Sequence, residues 1–304
     1  MTKILVTGGC GFVGSNLVDI LVQDPNNEVW VVDDLSSGKK EYCNEKAKYL
    51  FVDILRLFNE SIYQAAIRRV IKKKYTHVLR DIDIVYHLAA QARIQPSFSA
   101  PINTLEINTY GTSLICEYTK RIGAKLIYAG SSSFYAGVFL SPYAFAKWQG
   151  EQICKLYSDV YGLNTAIARF FNVYGPRHPS EGHHGTVVGI FERQYKQNQA
   201  LTIVGNGEQR RDFTHVKDIC EGLIAISKKD FKAEILNLGT GTNHSINELA
   251  SLYQCKTKNI SARPGEASVT LADISKTMDI LNWKPRYTLE NYVEEWLEFH
   301  RGVN

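Results

Sequence analysis

Residues 2–21 read TKILVTGGCGFVGSNLVDIL, and the fold turns on how this stretch changes character at residue 8. Ile4-Leu5-Val6 is apolar without alternation, which predicts a strand covered on both faces. A turn with Gly8, Gly11 and Gly14 at GxxGxxG spacing follows, and then a helical pattern over about 12–23. Glycines in such a turn let the backbone approach a pyrophosphate, whose charge the N-terminus of the next helix stabilises. A glycine triplet alone also suits an ordinary turn. The acidic pair Asp33-Asp34, closing the next apolar run EVWVVD at 28–33, supplies the missing context. A carboxylate there accepts the hydroxyls of an adenosine ribose and repels the extra phosphate of NADP, which favours NAD. Lys39 and Lys40 weigh the other way, since a cation accommodates that phosphate. Asp53, closing YLFVD at 49–53, reads either as an acceptor for the adenine amine or as a helix cap.

The same alternation continues outward. Apolar runs DIVYHLAA (83–90), KLIYAG (125–130) and NTAIARF (164–170) alternate with helical patterns at about 59–74, 103–121 and 143–161. The class is α/β, a Rossmann-type doubly wound parallel sheet. After Arg169 the rhythm breaks into the loop-rich FNVYGPRHPSEGHHG, a helix near 187–197, and GNGEQRRDF. Residues 212–239, ending in EILNLG, return to the main sheet. Two late helices open on the capping box Ser245-x-x-Glu248 and on Thr288. The expected division is a dinucleotide-binding domain over 1–169, rejoined by 212–239, and a smaller interwoven lobe within 170–304, drawn from 170–211 and 240–304.

Composition narrows the function classes. The 304 residues are 44% hydrophobic and 22% charged, with 35 basic and 31 acidic side chains spread along the chain. That balance favours a soluble protein without a nucleic-acid or membrane footprint. The one basic run, Arg68-Arg69 and Lys72-Lys73-Lys74, reads as the solvated face of a helix. Six scattered cysteines without a CxxC pair fit reduced thiols in a cytoplasm. His178, Glu181, His183 and His184 carry metal-ligand chemistry but lack ligand spacing, so they read as a solvated loop and no metal is expected.

The chemical residues lie in GSSSFYAGVFLSPYAFAK, residues 130–147. Tyr143 and Lys147 stand at i and i+4, on one helical face, and the serine cluster 131–133 ends the preceding strand. Lowering a tyrosine from pKa about 10 to about 7 takes roughly 4 kcal/mol. A cation about 4 Å away at an effective dielectric of 20 supplies about that much. Lys147 and a positive nicotinamide ring are both candidates for that cation.

Taken together, TGGCGFVGSNL, DDLSSG, HLAAQA, NTYGT, SSSFY, YAFAK, RFFNVYGPR, LTIVGNGEQRRDF, RPGE and LADISKTMDILNWKP resemble the extended short-chain dehydrogenase/reductases. The resemblance is to their nucleotide-sugar epimerase and dehydratase family, and most to UDP-glucose and UDP-N-acetylglucosamine 4-epimerases. It runs in family order over nearly the whole chain. It implies NAD-dependent epimerisation at C4 of a nucleotide sugar, with Tyr143 as acid/base, Lys147 as its activator and nicotinamide-ribose ligand, and Ser131 or Ser132 bonding the reacting oxygen. It extends the cofactor site to Phe12, Val13, Leu35, Ser36, Ser37, Gly38, Ile54, Leu88, Ala89, Ala90 and Asn108; the last reads equally well as a buried structural amide. For the substrate it implies Asn172, Arg211 and Arg263 on the diphosphate, Glu266 on the ribose, and Thr202 and Val204 beside the base. It also implies a homodimer through a four-helix bundle built from the 103–121 and 143–161 helices.

Two departures bear on substrate and reaction. Only eleven residues separate Ser131 from Tyr143, a reach of up to about 36 Å when extended, so the two can still meet. The shortened link predicts a more open sugar pocket, partly plugged by Gly137 to Leu140. At Ser133 the related 4,6-dehydratases and decarboxylases carry an acid, which ranks those reactions below epimerisation. A one-way nucleotide-sugar ketoreductase and a non-catalytic NAD-binding relative remain as alternatives. Retention of Ser131, Tyr143 and Lys147 together speaks against the latter.

Overall fold

Ile4 and Val6 pack into one hydrophobic cluster and Leu5 into another, all three essentially without solvent contact. Successive side chains on a strand point to opposite faces, so this single tripeptide already places helices on both sides of the sheet. The computed structural model describes residues 1–59, 79–263, 265 and 267–301. Within them seven parallel strands form the central sheet: β1 (Thr2–Thr7), β2 (Asn27–Asp33), β3 (Lys48–Phe51), β4 (Ile84–His87), β5 (Lys125–Ser131), β6 (Thr165–Phe170) and an edge strand, Lys232–Leu238. Their order across the sheet is Lys232–Leu238, β6, β5, β4, β1, β2, β3. The order in which strands are added therefore switches sides between β1 and β4, and a ligand crevice is expected outside the carboxyl ends at that switch.

On one face, helix α1 (Phe12–Leu21) and the helix Val216–Ser227 cover Ile4, Val6 and Val31. On the other, the helices Gly111–Ile122 and Pro142–Tyr161 cover Leu5, Leu126 and Ile167. The Pro142–Tyr161 helix starts where its sequence says it should. Ser141 Oγ accepts the Ala144 N–H at 3.1 Å, Pro142 occupies the first turn, and Gly162 ends the helix in a left-handed conformation. A third cluster, around Phe191, Leu201, Ile203, Leu249 and Leu297, lies in the later part of the chain. There the capping box holds as read: Ser245 Oγ accepts the Glu248 N–H at 3.0 Å and Glu248 accepts the Ser245 N–H at 2.7 Å.

Three sequence expectations change in detail. β4 stops at His87 instead of continuing to residue 90: it pairs with β1 as far as Thr7 and with β5 as far as Tyr128, although β5 itself runs on to Ser131 beside β6. Leu88 donates instead to Thr7 O at 3.1 Å, and the chain peels away toward the crevice. The helix expected over 103–121 is interrupted by a π-helical turn at Glu106–Tyr110, joining Pro101–Leu105 to Gly111–Ile122. His178 is buried, not solvated: its Nε2 lies 2.8 Å from Glu192, and its Nδ1 accepts from Gly175 N at 3.2 Å. Beyond Asn59, the expected 59–74 helix and its basic run fall outside the described residues. Among the described residues all six cysteines are free, no helix is long and apolar enough to cross a membrane, and no His/Cys/Asp/Glu group could hold a metal.

Candidate active site

A cavity of about 620 Å³ opens at the carboxyl ends of the strands. It runs from the glycine turn past the serine cluster to Thr202 and Val204.

The glycine turn fits a dinucleotide by what it leaves out. A Cβ at Gly14 would stand 2.1 Å from Gly8 O, and one at Gly8, whose φ is +73°, would stand 2.7 Å from Ala89 N. A side chain at either place would push the turn off α1 or off the segment after β4, and so spoil the close backbone packing that presents the α1 N-terminus to a pyrophosphate. Asp33 anchors this turn. Its two oxygens accept from Cys10 N at 2.9 Å and Leu35 N at 2.8 Å, and burial pushes its pKa up against those two bonds. Asp34 is more exposed and bonds Ser36.

Gly8, Gly11, Phe12, Val13, Gly14, Asp33, Asp34, Ser36, Ser37, Asp53 and Ile54 all line the cavity, as do Leu88, Ala89 and Ala90. Lys39 and Lys40 do not; they engage Glu41 with Tyr42, and Phe51, respectively. Asp53 is the helix cap of the two readings, accepting Leu55 N at 2.8 Å. Leu35 and Gly38 lie off the wall: Leu35 packs on the core, and Gly38 lies against Cys10 and Asp33. Asn108 is also off the wall, a correction to its direct cofactor role. Its amide accepts from Gln91 N at 2.8 Å and donates to Gln91 O at 3.0 Å, so it fixes the loop after β4 from behind. The π turn is what brings it there.

At the centre of the cavity the short Ser131–Tyr143 link does bring the two together: both line the same wall, and the Ser131 side chain favours the ionised form of the Tyr143 phenol. Ser133 Oγ donates to Ser131 Oγ at 2.9 Å, which leaves the Ser131 hydroxyl proton for Tyr143 or a ligand. Ser132 caps the short helix Ser133–Ala136, and its N–H donates to Phe170 O at 3.1 Å. Gly137 to Leu140 turn outward instead of plugging the pocket. Phe139 is 82% exposed and stacks on Phe145 with centroids 5.6 Å apart.

The charges differ from the sequence expectation. Lys147 lines the same cavity, but its ammonium sits over the Tyr128 ring at 4.4 Å, and burial brings its pKa down to about 8, with Glu151 opposing. Burial pushes the Tyr143 phenol up, not down, and what opposes it is the Ser131 side chain and the charge of Arg93. Thus the cation acting on Tyr143 is one that sequence reasoning missed. Helical spacing put Lys147 on the right face, but its flexible stem carries the charge away toward Tyr128. Arg93 holds φ +89° and ψ 145°, a conformation nearly reserved for glycine, at a cost of about 1–3 kcal/mol. No local pattern in the sequence announces this.

Beyond the serines, Asn172 lines the cavity and donates to Asp212 O and Thr270 Oγ1, both at 3.0 Å. Thr202 and Val204 face the cavity while Leu201 and Ile203 face the core, as strand alternation requires. Arg211 and Arg263 are on the wall as well; Glu266 lies outside the described residues. Thr186 and Val187, at the start of the Val187–Lys196 helix, are further wall residues the sequence did not single out; a Thr cap ahead of an apolar run was the available signal.

A parallel sheet with a glycine cradle at its switch point, opening onto a Ser-Tyr-Lys centre, defines a dinucleotide-dependent α/β protein of the short-chain dehydrogenase/reductase type. Residues 4–239 match the NAD dependent epimerase/dehydratase family. The chain belongs to that family, and NAD is its cofactor. It is 32% identical over 323 residues to a putative UDP-glucose 4-epimerase of Methanocaldococcus jannaschii, covering 99% of each chain. Among solved structures it is similar to a UDP-glucose 4-epimerase of Thermotoga maritima with UDP-glucose, at 30% identity and TM-score 0.87 over 99% of each chain. It is also similar to a UDP-glucuronic acid 4-epimerase of Bacillus cereus in complex with UDP-glucuronic acid and NAD, at 28% identity and TM-score 0.83 over 100% of each.

Proposed function

We propose that this protein interconverts the C4 epimers of a nucleotide-activated sugar, a UDP-hexose or UDP-N-acetylhexosamine, through a transient 4-keto sugar. The observation that carries the reading is that Ser131, Tyr143 and Lys147 stand together on the wall of one cavity that reaches both the glycine cradle and the Thr202–Val204 strand. Bound in that cradle, NAD supplies a reversible hydride acceptor at carbon 4. Tyr143 takes the proton of the 4-hydroxyl as carbon 4 is oxidised and returns it after the keto sugar has turned over. Ser131 donates to the reacting oxygen, its orientation set by Ser133.

Inversion needs a firm hold on the nucleotide and a loose one on the hexose. Arg211 and Arg263 supply the first as diphosphate ligands, forked donors matching phosphate oxygens; Asn172, whose two amide protons go to Asp212 and Thr270, braces the wall beside them instead of donating to the diphosphate. Thr202 and Val204 flank the base, Glu266 takes the ribose, and Asp33 takes the adenosine ribose of the cofactor. In this reading residues 1–169 with 212–239 hold NAD, and 170–211 with 240–304 carry the sugar nucleotide. A dimer through the two long helices is part of the same reading; Ile102 (75% exposed), Leu156, Val160 and Tyr161 are exposed apolar residues on those helical segments.

The test is to release and identify the cofactor retained by the purified protein, and then to follow the anomeric NMR signals of a nucleotide-sugar panel. Interconversion of a C4 pair without added cofactor is the expected result. Stoichiometric consumption of external NADPH would replace the epimerase with a ketoreductase.

A further inference from the structure

Among the described residues the carboxylates of the cavity wall stand at one end. They are Asp33, Asp34 and Asp53, all following β2 or β3 at the adenosine end. At the reacting end stand Tyr143, Lys147, the serine cluster and Arg93. Lys147 has the Tyr128 ring beneath it and Glu151 one turn away on its own helix. Arg93 has no such counter-charge: the only ionisable group acting on it among the described residues is the Tyr143 phenol. Arg93 is half-buried on that wall; a guanidinium partly withdrawn from water without a carboxylate is costly, and here the backbone beneath it is strained as well. Neither cost serves the core, because Arg93 lies on the cavity wall, where the Ile94–Ser99 helix that follows it packs against the Gly182–His184 turn. The electrostatic cost is recovered if a ligand brings the missing anion.

We propose that Arg93 is a specificity-determining residue that pairs with an acidic group on the sugar, which makes a nucleotide hexuronate, with its C6 carboxylate, the preferred substrate class. The inference rests on the nucleotide-sugar 4-epimerase reading above and replaces its neutral hexose with a hexuronate. The geometry favours carbon 6. Tyr143 must meet the 4-oxygen, carbon 6 is two carbons along the ring and side arm, and Arg93 is the cation whose charge Tyr143 feels. A forked guanidinium suits a carboxylate through two parallel hydrogen bonds, and it discriminates against the neutral hydroxymethyl of a hexose, which cannot return the charge.

The test is calorimetric binding and C4-epimerisation kinetics with UDP, UDP-glucose and UDP-glucuronate, on the wild-type holoenzyme and on Arg93→Gly and Arg93→Lys. Glycine suits the backbone at this position, so loss of folding is not expected from that change. The expected result is that the wild type favours UDP-glucuronate over UDP-glucose by about 10- to 100-fold. Arg93→Gly should abolish that preference with UDP affinity unchanged, and Arg93→Lys should keep part of it. Equal handling of both sugars by the wild type, or a preference that survives in Arg93→Gly, overturns the assignment and leaves the epimerase standing. Failure of UDP itself to bind overturns the nucleotide-sugar reading and this inference with it. Release of carbon dioxide and a UDP-pentose, with the same dependence on Arg93, upholds the carboxylate contact and overturns the epimerase reaction.

Discussion

Glu151 takes both arms of the Arg169 guanidinium, Nε at 2.9 Å and Nη2 at 2.6 Å, in a pair whose side chains are 1% and 5% exposed. The pair ties the helix of Tyr143 and Lys147 to β6, and the Phe134 ring lies 3.7 Å from the guanidinium carbon. Removing one partner strands the other charge in a dry site. Glu151→Ala is therefore expected to cost about 3–5 kcal/mol, measured by denaturant unfolding. It should also lower the Lys147 pKa further, since Glu151 is what supports the charged form.

Tyr143→Phe removes the proton carrier and keeps the ring. Turnover is expected to fall by about 10²–10⁴-fold, with retained NAD and UDP affinity unchanged. A variant that kept full turnover would remove Tyr143 from the mechanism.

Lys147 links activity and stability to alkaline pH with opposite signs. Its folded pKa of about 8 lies below the ordinary lysine value, burial being the cause. Above pH 8 the native state sheds a proton that the unfolded chain keeps up to about 10.4, so this group adds stability as pH rises through that window. Over the same range the ammonium is lost and turnover falls. Lys147→Met is expected to be inactive, more stable than wild type at pH 7 by up to about 3 kcal/mol, and without the alkaline rise. Thermal unfolding at pH 7 and pH 10 checks this.

His87 sets an acid limit. It is buried between Thr7 Oγ1 at 2.8 Å and Thr112 Oγ1 at 3.2 Å, and burial takes its pKa down to about 3. A histidine held neutral contributes stability that is present above about pH 6.5 and is lost as pH falls toward 3. His87→Gln should flatten that limb of the stability profile.

The glycine turn separates two kinds of requirement. Gly14→Ala puts a methyl 2.1 Å from Gly8 O and is expected to abolish cofactor retention and lower Tm. Gly11→Ala meets only Gly8 O at 3.3 Å and should fold, with NAD retention reduced more than stability. Cofactor release and Tm on the same samples distinguish the two.

The periodicity of residues 2–33 was enough for the parallel sheet, because a strand buried on both faces must be apolar throughout. The glycine spacing was enough for the cradle, because only a missing Cβ admits the backbone contact it makes. Tyr143, Lys147 and Ser131 were legible because helical spacing and a strand end are local facts. Asn108 was not: its NTYGT setting is the same whether the amide meets a ligand or a loop, and a π turn decides in favour of Gln91. Arg93 was legible only as one more arginine. Its charge reaches Tyr143 because two segments fifty residues apart converge on one cavity wall. Backbone pattern is written in neighbours along the chain and so belongs to the sequence; the partner of a long charged side chain is set by which segments meet in space, and only the folded structure decides that.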